Sequence, residues 1–237
     1  MSLEQEMNSS KNTARLAGVL YFIWILTGVY GIFFLPSQTV VKGNAAATAN
    51  KILANEFLFR TGIVNDIISN TLWIFIALIL YRLFKQVNER YTKLLVALVI
   101  VQIPAMFFME AFNISSLMLF KGKILKSFEL AQRQDLAMMF LDFNGYIALV
   151  LETFWGLWLI PFGQLVYKSG FIPRILGTFL ILNGAAYVVH SFTSLLFPDY
   201  QATVRLFAFP FWILGEISIM LWLLIKGVKT KHLQVSQ

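Results

Sequence analysis

The chain contains no cysteine, and only 13% of its 237 residues are charged. Without cysteine there is no disulfide, no thiolate metal site and no cysteine nucleophile. An ordinary globular domain carries about 25% charged residues, so this chain has too few to cover the surface of a soluble protein. The shortage excludes a disordered chain, a fibrous protein and a free-standing nucleic-acid-binding protein, even though the net charge is +7.

Long apolar segments take the place of the missing charge. Hydrophobic residues make up 58% of the chain, and they occur in continuous runs rather than in alternation with polar residues. Continuous runs favour helices over a β-barrel. The sequence therefore predicts an all-α, polytopic membrane helical bundle, with six transmembrane helices long enough for a hydrocarbon layer of about 30 Å. The predicted spans are residues 14–35, 60–84, 93–120, 140–167, 173–197 and 205–226.

Proline and glycine mark several limits of these spans. Pro36 is expected to end the first span, and Pro173 to open the fifth as a residue of its first turn. Gly170 is expected to end the fourth span. The first apolar run, Leu16 to Val41, is too long for the core of a signal peptide, so we expect it to be retained as a membrane span.

Lysine and arginine lie mainly in the connections between apolar runs. The segments on the side that includes both termini are shorter and carry these residues at a higher density. Because cytoplasmic connections are enriched in lysine and arginine, we predict cytoplasmic tails at residues 1–13 and 227–237. The tails flank a six-helix transmembrane domain, residues 14–226, in the cytoplasmic membrane.

Two of the predicted outer connections contain enough apolar residues to form helices of their own. Residues 44–59 carry Ile52, Leu53 and Phe57 after a run of alanines. Residues 121–139 mix apolar residues with both signs of charge in a similar pattern. We predict a short interfacial helix at headgroup level in each of these connections. A lid over an outward-facing cavity is the alternative for both.

Several segments together resemble a known family. They are Arg15-Leu-Ala-Gly-Val-Leu-Tyr21, residues 80–88, Ser169-Gly-Phe-Ile-Pro-Arg-Ile-Leu-Gly177, and Gly215-Glu216 followed by residues 221–227. Over about residues 10–228 the chain resembles a bacterial family of integral membrane proteins catalogued as domain of unknown function 4386. The resemblance implies a multi-helix protein of the bacterial inner membrane. It implies no activity and no catalytic residue.

Ionisable side chains inside the spans are costly in lipid, and each one indicates a functional hypothesis. The six such groups are Asp66, Glu110, Asp142, Glu152, His190 and Glu216. At about 1.5 Å per residue, Glu110, Glu152 and Glu216 all lie roughly 15–18 Å from the outer ends of their spans. No lysine or arginine lies at that depth. We therefore predict that the three glutamates converge on one polar site, with His190 about one turn above it.

Polar residues share helix faces with several of these groups. Asn183, Tyr187, His190 and Ser194 form a stripe on the fifth span, because they are spaced by about one or two helical turns. Asn113 lies on a polar face of the third span, beside Glu110. These faces are expected to line one outward-opening cavity. The candidate site then comprises Glu110, Glu152, Glu216, His190, Asp66 and Asn113.

Each of these groups also has a structural explanation. A single buried glutamate is stable when it is protonated and hydrogen-bonded to a neighbouring helix. Asp66 can pair with Arg60, Asp142 can be a solvated cap, and an isolated histidine is often packed and neutral. Gly156 and Gly163, which share a helix face, can serve close helix packing.

Three classes of function remain open from the sequence. Carboxylates near the midplane favour a transporter or another ion-coupled protein, which binds a proton, a sodium ion or a cationic small molecule. The second class is an intramembrane metal-dependent enzyme, for which the candidate metal ligands are Glu110, Glu152, His190 and Glu216. The third is a non-catalytic accessory or structural membrane subunit. No catalytic residue and no cofactor is assigned, and the expected partner is the lipid bilayer rather than nucleic acid.

Overall fold

The computed structural model describes residues 3–228, with side chains from residue 9 onward, and all regular structure in that range is helical. In chain order the elements are α1 (Leu3–Gly28), a π-helical segment (Val29–Phe34), α2 (Leu35–Thr39), α3 (Ala45–Ala54), α4 (Glu56–Phe84), α5 (Glu89–Ile100), α6 (Ile103–Phe120), α7 (Leu130–Ser169), α8 (Arg174–Leu196), a 3-10 turn (Pro198–Tyr200) and α9 (Gln201–Ile225). The predicted all-α class is confirmed. Residues 1–2 and 229–237 of the predicted tails lie outside the described residues.

Six helical stretches within residues 3–228 are long and apolar enough to cross a membrane. They are Ser9–Thr39, Glu56–Phe84, Glu89–Phe120, Leu130–Ser169, Arg174–Leu196 and Pro198–Ile225. Most of them extend beyond the predicted spans, because helical structure continues into polar residues that the apolar pattern left out. Many large apolar side chains on these helices are exposed from the protein, as contact with lipid requires. The chain is a multi-pass membrane protein.

The first membrane helix does not end at Pro36, as the sequence predicted. The π-helical segment continues directly into α2, and the backbone N–H of Leu35 bonds to the carbonyl of Tyr30, five residues back. Pro36 therefore lies in the first turn of a new α-helical segment, where its missing N–H matters least. The helix ends only at Thr39, whose hydroxyl donates to the carbonyl of Leu35 at 2.7 Å.

The first outer connection contains the predicted short helix, α3. Its N-cap is Asn44, whose side-chain oxygen accepts a hydrogen bond from the backbone N–H of Ala47 at 2.9 Å. Ile52 is fully buried, whereas Leu53 is 40% exposed and Phe57, already in α4, is 82% exposed. One face of α3 therefore packs inward, and the apolar side chains beyond it point away from the protein.

The second outer connection differs from the prediction. Residues 121–129 form turns, and the residues from Leu130 to Met139 belong to α7, which continues to Ser169 without a separate interfacial helix. At about 1.5 Å per residue, α7 is about 60 Å long, roughly twice the hydrocarbon thickness. Its polar first part is a continuation of the membrane helix, because no proline interrupts α7 before Pro161.

The turn between α7 and α8 forms at the predicted glycine, but Pro173 precedes the first turn of α8 instead of belonging to it, because its backbone is extended (ψ 130°). Gly170 has a φ of +73°, in the left-handed region that glycine enters most easily. Pro173 is the N-cap residue, and α8 begins at Arg174. The turn is therefore a structural feature that reverses the chain between two spans.

The described residues form two compact units. Helical unit 1 comprises the residues up to Ile23, Leu72–Gln102 and those from Leu149 onward. Helical unit 2 comprises Trp24–Thr71 and Ile103–Ala148. Each unit has its own buried residues; Glu152 and Glu216 belong to helical unit 1, and Asp66, Glu110 and Asp142 to helical unit 2.

Glycines bring the backbones of α7 and α8 into close contact in helical unit 1. A Cβ atom on Gly184 would lie 2.6 Å from the carbonyl oxygen of Gly156, and one on Gly163 would lie 2.6 Å from that of Gly177. The second pair lies seven residues further along α7 and seven residues earlier in α8, so the two helices run antiparallel. This close packing places the residues before Gly156 against those after Gly184.

Aromatic rings fill much of the remaining interior of helical unit 1. Trp158 packs edge-on against Trp73 and stacks with Phe162, in both cases with 5.7 Å between ring centroids. Phe84 stacks on Phe171 at 5.5 Å. These five rings are buried, so they form a dry support for the helices that carry the acids.

Helical unit 2 has a smaller apolar core that joins α3 to α4, α6 and α7. Its buried members are Ala49, Ile52, Phe59, Ile63, Leu117, Leu119, Phe120 and Ala137. The hydroxyl of Ser116 donates to the carbonyl of Ala137 at 2.9 Å and fixes α6 against α7. This core anchors α3, the short helix of the first outer connection.

Candidate functional site

Glu152 and His190 form a direct pair in helical unit 1. Oε2 of Glu152 on α7 lies 2.6 Å from Nδ1 of His190 on α8. The side chain of His190 is 4% exposed and that of Glu152 is 17% exposed. The next residues along each helix, Thr153 and Ser191, share a hydrogen bond of 2.9 Å between their hydroxyls. Two adjacent polar contacts therefore hold α7 and α8 in one register at this point.

The geometry of the pair determines which ring nitrogen carries the proton when the imidazole is neutral. An ionised Glu152 is only an acceptor, so Nδ1 of His190 must be the donor. Nε2 then has a free lone pair, and among the described residues it is buried without a hydrogen-bond partner. The ring also packs edge-on against Trp212 of α9, at 5.2 Å between centroids. A buried nitrogen without a partner is costly unless it has a use or a ligand.

Glu216 forms the second acid contact of helical unit 1. The hydroxyl of Tyr21, which is fully buried on α1, donates to Oε1 of Glu216 on α9 at 2.8 Å. Asn183 of α8 lies within interaction distance of the same carboxylate. The side-chain Oδ1 of Asn183 is buried and has no hydrogen-bond partner among the described residues. Three helices therefore contribute polar atoms around Glu216.

One face of α8 connects the two acid contacts. Asn183 lies beside Glu216, and His190 bonds to Glu152 seven residues later. Tyr187 is between them on the same face, and its ring stacks on Trp212 with 4.8 Å between centroids. Both carboxylates act electrostatically on the Tyr187 hydroxyl. The polar stripe expected on the fifth span is thus a continuous face that reaches from one acid to the other.

Glu110 has a different type of partner, in helical unit 2. The side-chain amide of Asn113 donates to Oε2 of Glu110 at 3.0 Å, one turn further along α6. The amide of Asn144 on α7 donates in turn to Oδ1 of Asn113 at 2.6 Å. The result is a chain of two amides that ends on a carboxylate. Neither amide can take up or release a proton near neutral pH.

Asp66 also bonds to an amide in helical unit 2. The side-chain NH₂ of Asn65 donates to Oδ1 of Asp66 at 2.9 Å and to the carbonyl of Thr27 at 3.0 Å, just before the π-helical segment. One sequence-based alternative was that Asp66 pairs with Arg60, and the structure does not show this pair. Arg60 instead bonds to Glu56 at 2.9 Å, because Glu56 lies one turn away on the same face of α4.

Asp142 is exposed and lies at the edge of helical unit 2. It lines a cavity of about 270 Å³ together with Gly43, Ala45, Asp135, Met138, Met139 and Tyr146. None of the six residues of the candidate site lines this cavity. The exposure of Asp142 fits the alternative that it is a solvated cap.

The structure thus brings together two pairs of the predicted site residues, Glu152 with His190 and Glu110 with Asn113. Glu216 and Asp66 have other partners. Convergence of all three glutamates on one site stays a prediction. Across residues 3–228, no group of three or more histidine, aspartate or glutamate side chains is placed to hold a metal ion.

Sequence reasoning missed several residues that contact the acids or the partners of the acids. Tyr21, Asn65, Asn144 and Trp212 were not predicted as site residues, although each carries a polar group inside an apolar span. A phenol or indole in a span needs a hydrogen-bond partner, and that requirement was the available signal. The sequence did not indicate which helix would supply the partner.

Comparison with known proteins agrees with this architecture. A family model described as Domain of unknown function (DUF4386) matches residues 16–227, which include every acid discussed above. The chain belongs to the DUF4386 family. Its members are predicted from the resemblance to be integral membrane proteins, and the family description names no activity.

A relative from Archaeoglobus fulgidus, described as an uncharacterized protein, is 34% identical to the chain over 85 residues. The matched region covers 36% of this chain and 45% of the relative, so the chain spans less than half the length of that relative. No solved structure matches the chain. The activity of this DUF4386 member must therefore be argued from its own side chains.

Proposed function

We propose that this DUF4386 protein is an ion-coupled membrane protein, in the simplest case a transporter, whose buried carboxylates bind a proton or another cation. The observation that carries the proposal is the 2.6 Å contact between Glu152 and His190 inside a membrane-spanning pair of helices. An ionisable pair at that position is costly in lipid, and such groups commonly mark ion pathways. We further propose that the ion reaches these groups from an outward-facing polar cavity.

The electrostatic surroundings support this proposal. Within the described part of the chain, no lysine or arginine lies within salt-bridge distance of Glu152 or Glu216. The basic group that acts on Glu152 besides His190 is Arg205, through space. A buried carboxylate without a paired base must be balanced by a proton, a cation or a protonated imidazole. Each of these possibilities makes the state of the site depend on the ions in solution.

The proposal can be tested without a known substrate, because an ion that binds the folded state raises its stability. We would measure thermal unfolding of the protein in lipid nanodiscs from about pH 5 to about pH 8, where histidine changes charge. Sodium chloride would be replaced by choline chloride in a parallel series. A bound ion present at about 100 times its Kd stabilises the folded state by about 2.7 kcal/mol.

Matched glutamate-to-glutamine variants give this experiment its controls. We expect Glu152→Gln and Glu216→Gln to reduce the dependence of stability on pH or sodium. Glu129→Gln makes the same chemical change at an exposed position and should leave that dependence as in the wild type. Stability that is the same at every pH and in both salts, for wild type and variants alike, would refute ion binding at these carboxylates.

We propose a location in the bacterial inner membrane with both termini in the cytoplasm. The absence of cysteine allows single cysteines to report the orientation. Lys42→Cys and Ala131→Cys should react with an impermeant thiol reagent added to whole cells, and Gln86→Cys should not. We choose Lys42 rather than Gly43 because Gly43 has a φ of +70°, which a cysteine would strain. Labelling at Gln86 alone would reverse the proposed orientation.

A further inference from the structure

We infer that the ion bound in helical unit 1 is the proton, and that it is exchanged between two stations, the Glu152–His190 pair and the Glu216–Tyr21 pair, along the face of α8 that carries Tyr187. This inference rests on the proposed function and names its ion and its path. It draws on three observations: the pair geometry, the buried nitrogen of His190, and the position of Tyr187 between the two acids.

The first station has the chemistry of a proton site rather than of a metal-cation site. Sodium, like calcium and magnesium, is a hard cation that prefers several oxygen ligands, whereas one of the two bonded atoms here is an imidazole nitrogen. The separation of 2.6 Å between Oε2 of Glu152 and Nδ1 of His190 is short for a hydrogen bond that involves a charged group. A single proton shared between these two atoms fits that distance.

Uptake of one proton by this station can be written so that the atoms balance. The pair starts as ionised Glu152 and neutral His190 with its proton on Nδ1. A proton adds to the lone pair of Nε2, and the Nδ1 proton then passes to Oε2 of Glu152. The products are a neutral imidazole with its proton on Nε2 and a protonated carboxyl, so the pair has gained one proton and its charge has risen from −1 to zero.

The burial and hydrogen bonding of His190 explain why an arriving proton adds at Nε2. His190 is 3% exposed, and Nε2 has no hydrogen-bond partner among the described residues. The other nitrogen is occupied by Glu152. The Nε2 lone pair is the basic position of the pair that no protein group occupies, so it is open to an arriving proton. The unpartnered atom is therefore the expected place of exchange.

The second station holds its proton between a phenol and a carboxylate. The Tyr21 hydroxyl donates to Oε1 of Glu216 at 2.8 Å, and the carboxylate can itself take up a proton. A hydroxyl both donates and accepts, so Tyr21 can adjust to the ionised and the protonated carboxyl. The amide of Asn183 offers a further polar contact on the α8 side.

Tyr187 occupies the interval between the stations. Asn183 and His190 are seven residues apart on α8, which corresponds to about 10 Å along the helix axis. Tyr187 lies on the same face between them, and both carboxylates act on its hydroxyl. Its stack on Trp212, which also contacts His190, fixes the direction of the ring. A hop through this hydroxyl forms one O–H bond as the other breaks, so Tyr187 itself is unchanged.

The charged and titratable groups around the two stations come from four helices. They are Tyr21 on α1, Glu152 on α7, Tyr187 and His190 on α8, and Arg205 and Glu216 on α9. Two charges about 10 Å apart in a protein interior still act on each other, because the effective dielectric constant there is low. A change at Glu216 should therefore alter the titration of His190, although the two do not share a hydrogen bond.

The chain offers a direct spectroscopic test, because it contains only two histidines. In a His232→Asn background, ¹⁵N-imidazole NMR of the full chain in lipid nanodiscs would report on His190 alone. We expect the Nδ1–H tautomer at high pH, uptake of a proton as the pH falls, and loss of the tautomer preference in Glu152→Gln. Glu129→Gln should match the wild type.

The coupling between stations requires two further variants. Glu216→Gln should change the pH range over which His190 titrates. Tyr187→Phe keeps the ring that stacks on Trp212 but removes the hydroxyl, so it should slow the exchange of the His190 proton, seen in the ¹⁵N line shapes, at least roughly tenfold. A His190 proton that exchanges as fast in Tyr187→Phe as in the wild type would overturn the exchange between stations.

The outcomes separate this inference from the proposed function. If His190 keeps one protonation state while sodium alone stabilises the protein, ion coupling holds and the proton is the wrong ion. If neither pH nor sodium affects stability and His190 does not titrate, both proposals fail. Titration of His190 with coupling to Glu216 supports both.

Discussion

Each helical unit bonds two of its intramembrane acids to polar side chains, but the kind of partner differs between the units. In helical unit 1, Glu152 bonds to an imidazole and Glu216 to a phenol, at 2.6 and 2.8 Å. In helical unit 2, Glu110 and Asp66 bond to the amides of asparagines, at 3.0 and 2.9 Å. Depth and residue type do not distinguish Glu110 from Glu152 and Glu216 in the sequence, but their partners do.

This difference teaches what a buried carboxylate can be used for. An amide only donates or only accepts at each of its atoms, so a chain such as Asn144, Asn113 and Glu110 holds one orientation. An imidazole or a hydroxyl can exchange its roles when a proton moves. Helical unit 2 therefore has the features of a structural polar network, and helical unit 1 those of a responsive one.

The largest expected effect comes from the glycine contact that positions the responsive pair. A Cβ on Gly156 would collide with the carbonyl oxygen of Gly184, whereas one on Gly145, on the same helix, meets nothing within 4 Å. We expect Gly156→Ala to destabilise the protein by about 1–3 kcal/mol, because backbone must move. Gly145→Ala should stabilise it by about 0.5–1 kcal/mol through helix propensity. Thermal unfolding in nanodiscs measures both, and equal effects would show that the contact is loose.

The next largest effect concerns the pH dependence of unfolding after one acid from each unit is replaced. Glu152→Gln should remove much of the pH dependence of unfolding, because the folded state then binds fewer protons than the wild type over the same range. Glu110→Gln should remove only the part of that dependence that belongs to its own carboxylate, because the amides around it do not titrate, whereas Glu152→Gln also removes the hydrogen-bond partner of a titratable imidazole. Unfolding curves across the pH series distinguish the variants. The comparison between the units breaks down if Glu110→Gln abolishes the pH dependence and Glu152→Gln does not.

A smaller effect should separate the two kinds of partner. Asn113→Ala loses two hydrogen bonds, to Glu110 and from Asn144, and should lower stability by about 1 kcal/mol with little dependence on pH, because an amide donates to either form of a carboxyl. Tyr21→Phe loses the hydroxyl that bonds to Glu216. We expect it to lower the free energy of unfolding by no more than Asn113→Ala does, and by an amount that changes with pH. Paired denaturation series at low and high pH give the answer. A pH-dependent cost for Asn113→Ala would place helical unit 2 among the responsive sites.

The smallest expected effect concerns a surface ion pair of helical unit 2. Nζ of Lys121 lies 2.7 Å from Oε2 of Glu56, with both side chains partly exposed. Exposed pairs contribute about 0–1 kcal/mol, and salt screens them. Lys121→Ala should therefore lower stability by less than about 1 kcal/mol, and by less at high salt. A loss of stability in Lys121→Ala as large as that in Gly156→Ala would mean that the ion pair of Lys121 with Glu56 is essential for the fold of helical unit 2.

Local patterns in the sequence were sufficient to predict the spans and several turns. Six continuous apolar runs in the sequence predicted the six membrane helices. The position of the turn after α7 followed from the left-handed conformation that Gly170 adopts easily. The errors had two causes: a proline was expected to end a helix that continues past it, and a polar segment was separated from the helix it belongs to. Pro36 lies in the first turn of α2 instead of ending the first helix, and residues 130–139 are part of α7.

The sequence by itself determined the membrane class, the number of spans and which spans carry acids, because length, apolarity and charge are properties of consecutive residues. Only the tertiary structure decided the partners. Glu152 and His190 are 38 residues apart, and Tyr21 and Glu216 are 195 apart. A helix that is apolar on most sides carries little information about which side faces its neighbours. Backbone contacts such as that of Gly156 with Gly184 set this rotation, and with it decided that one acid meets an imidazole and another an amide.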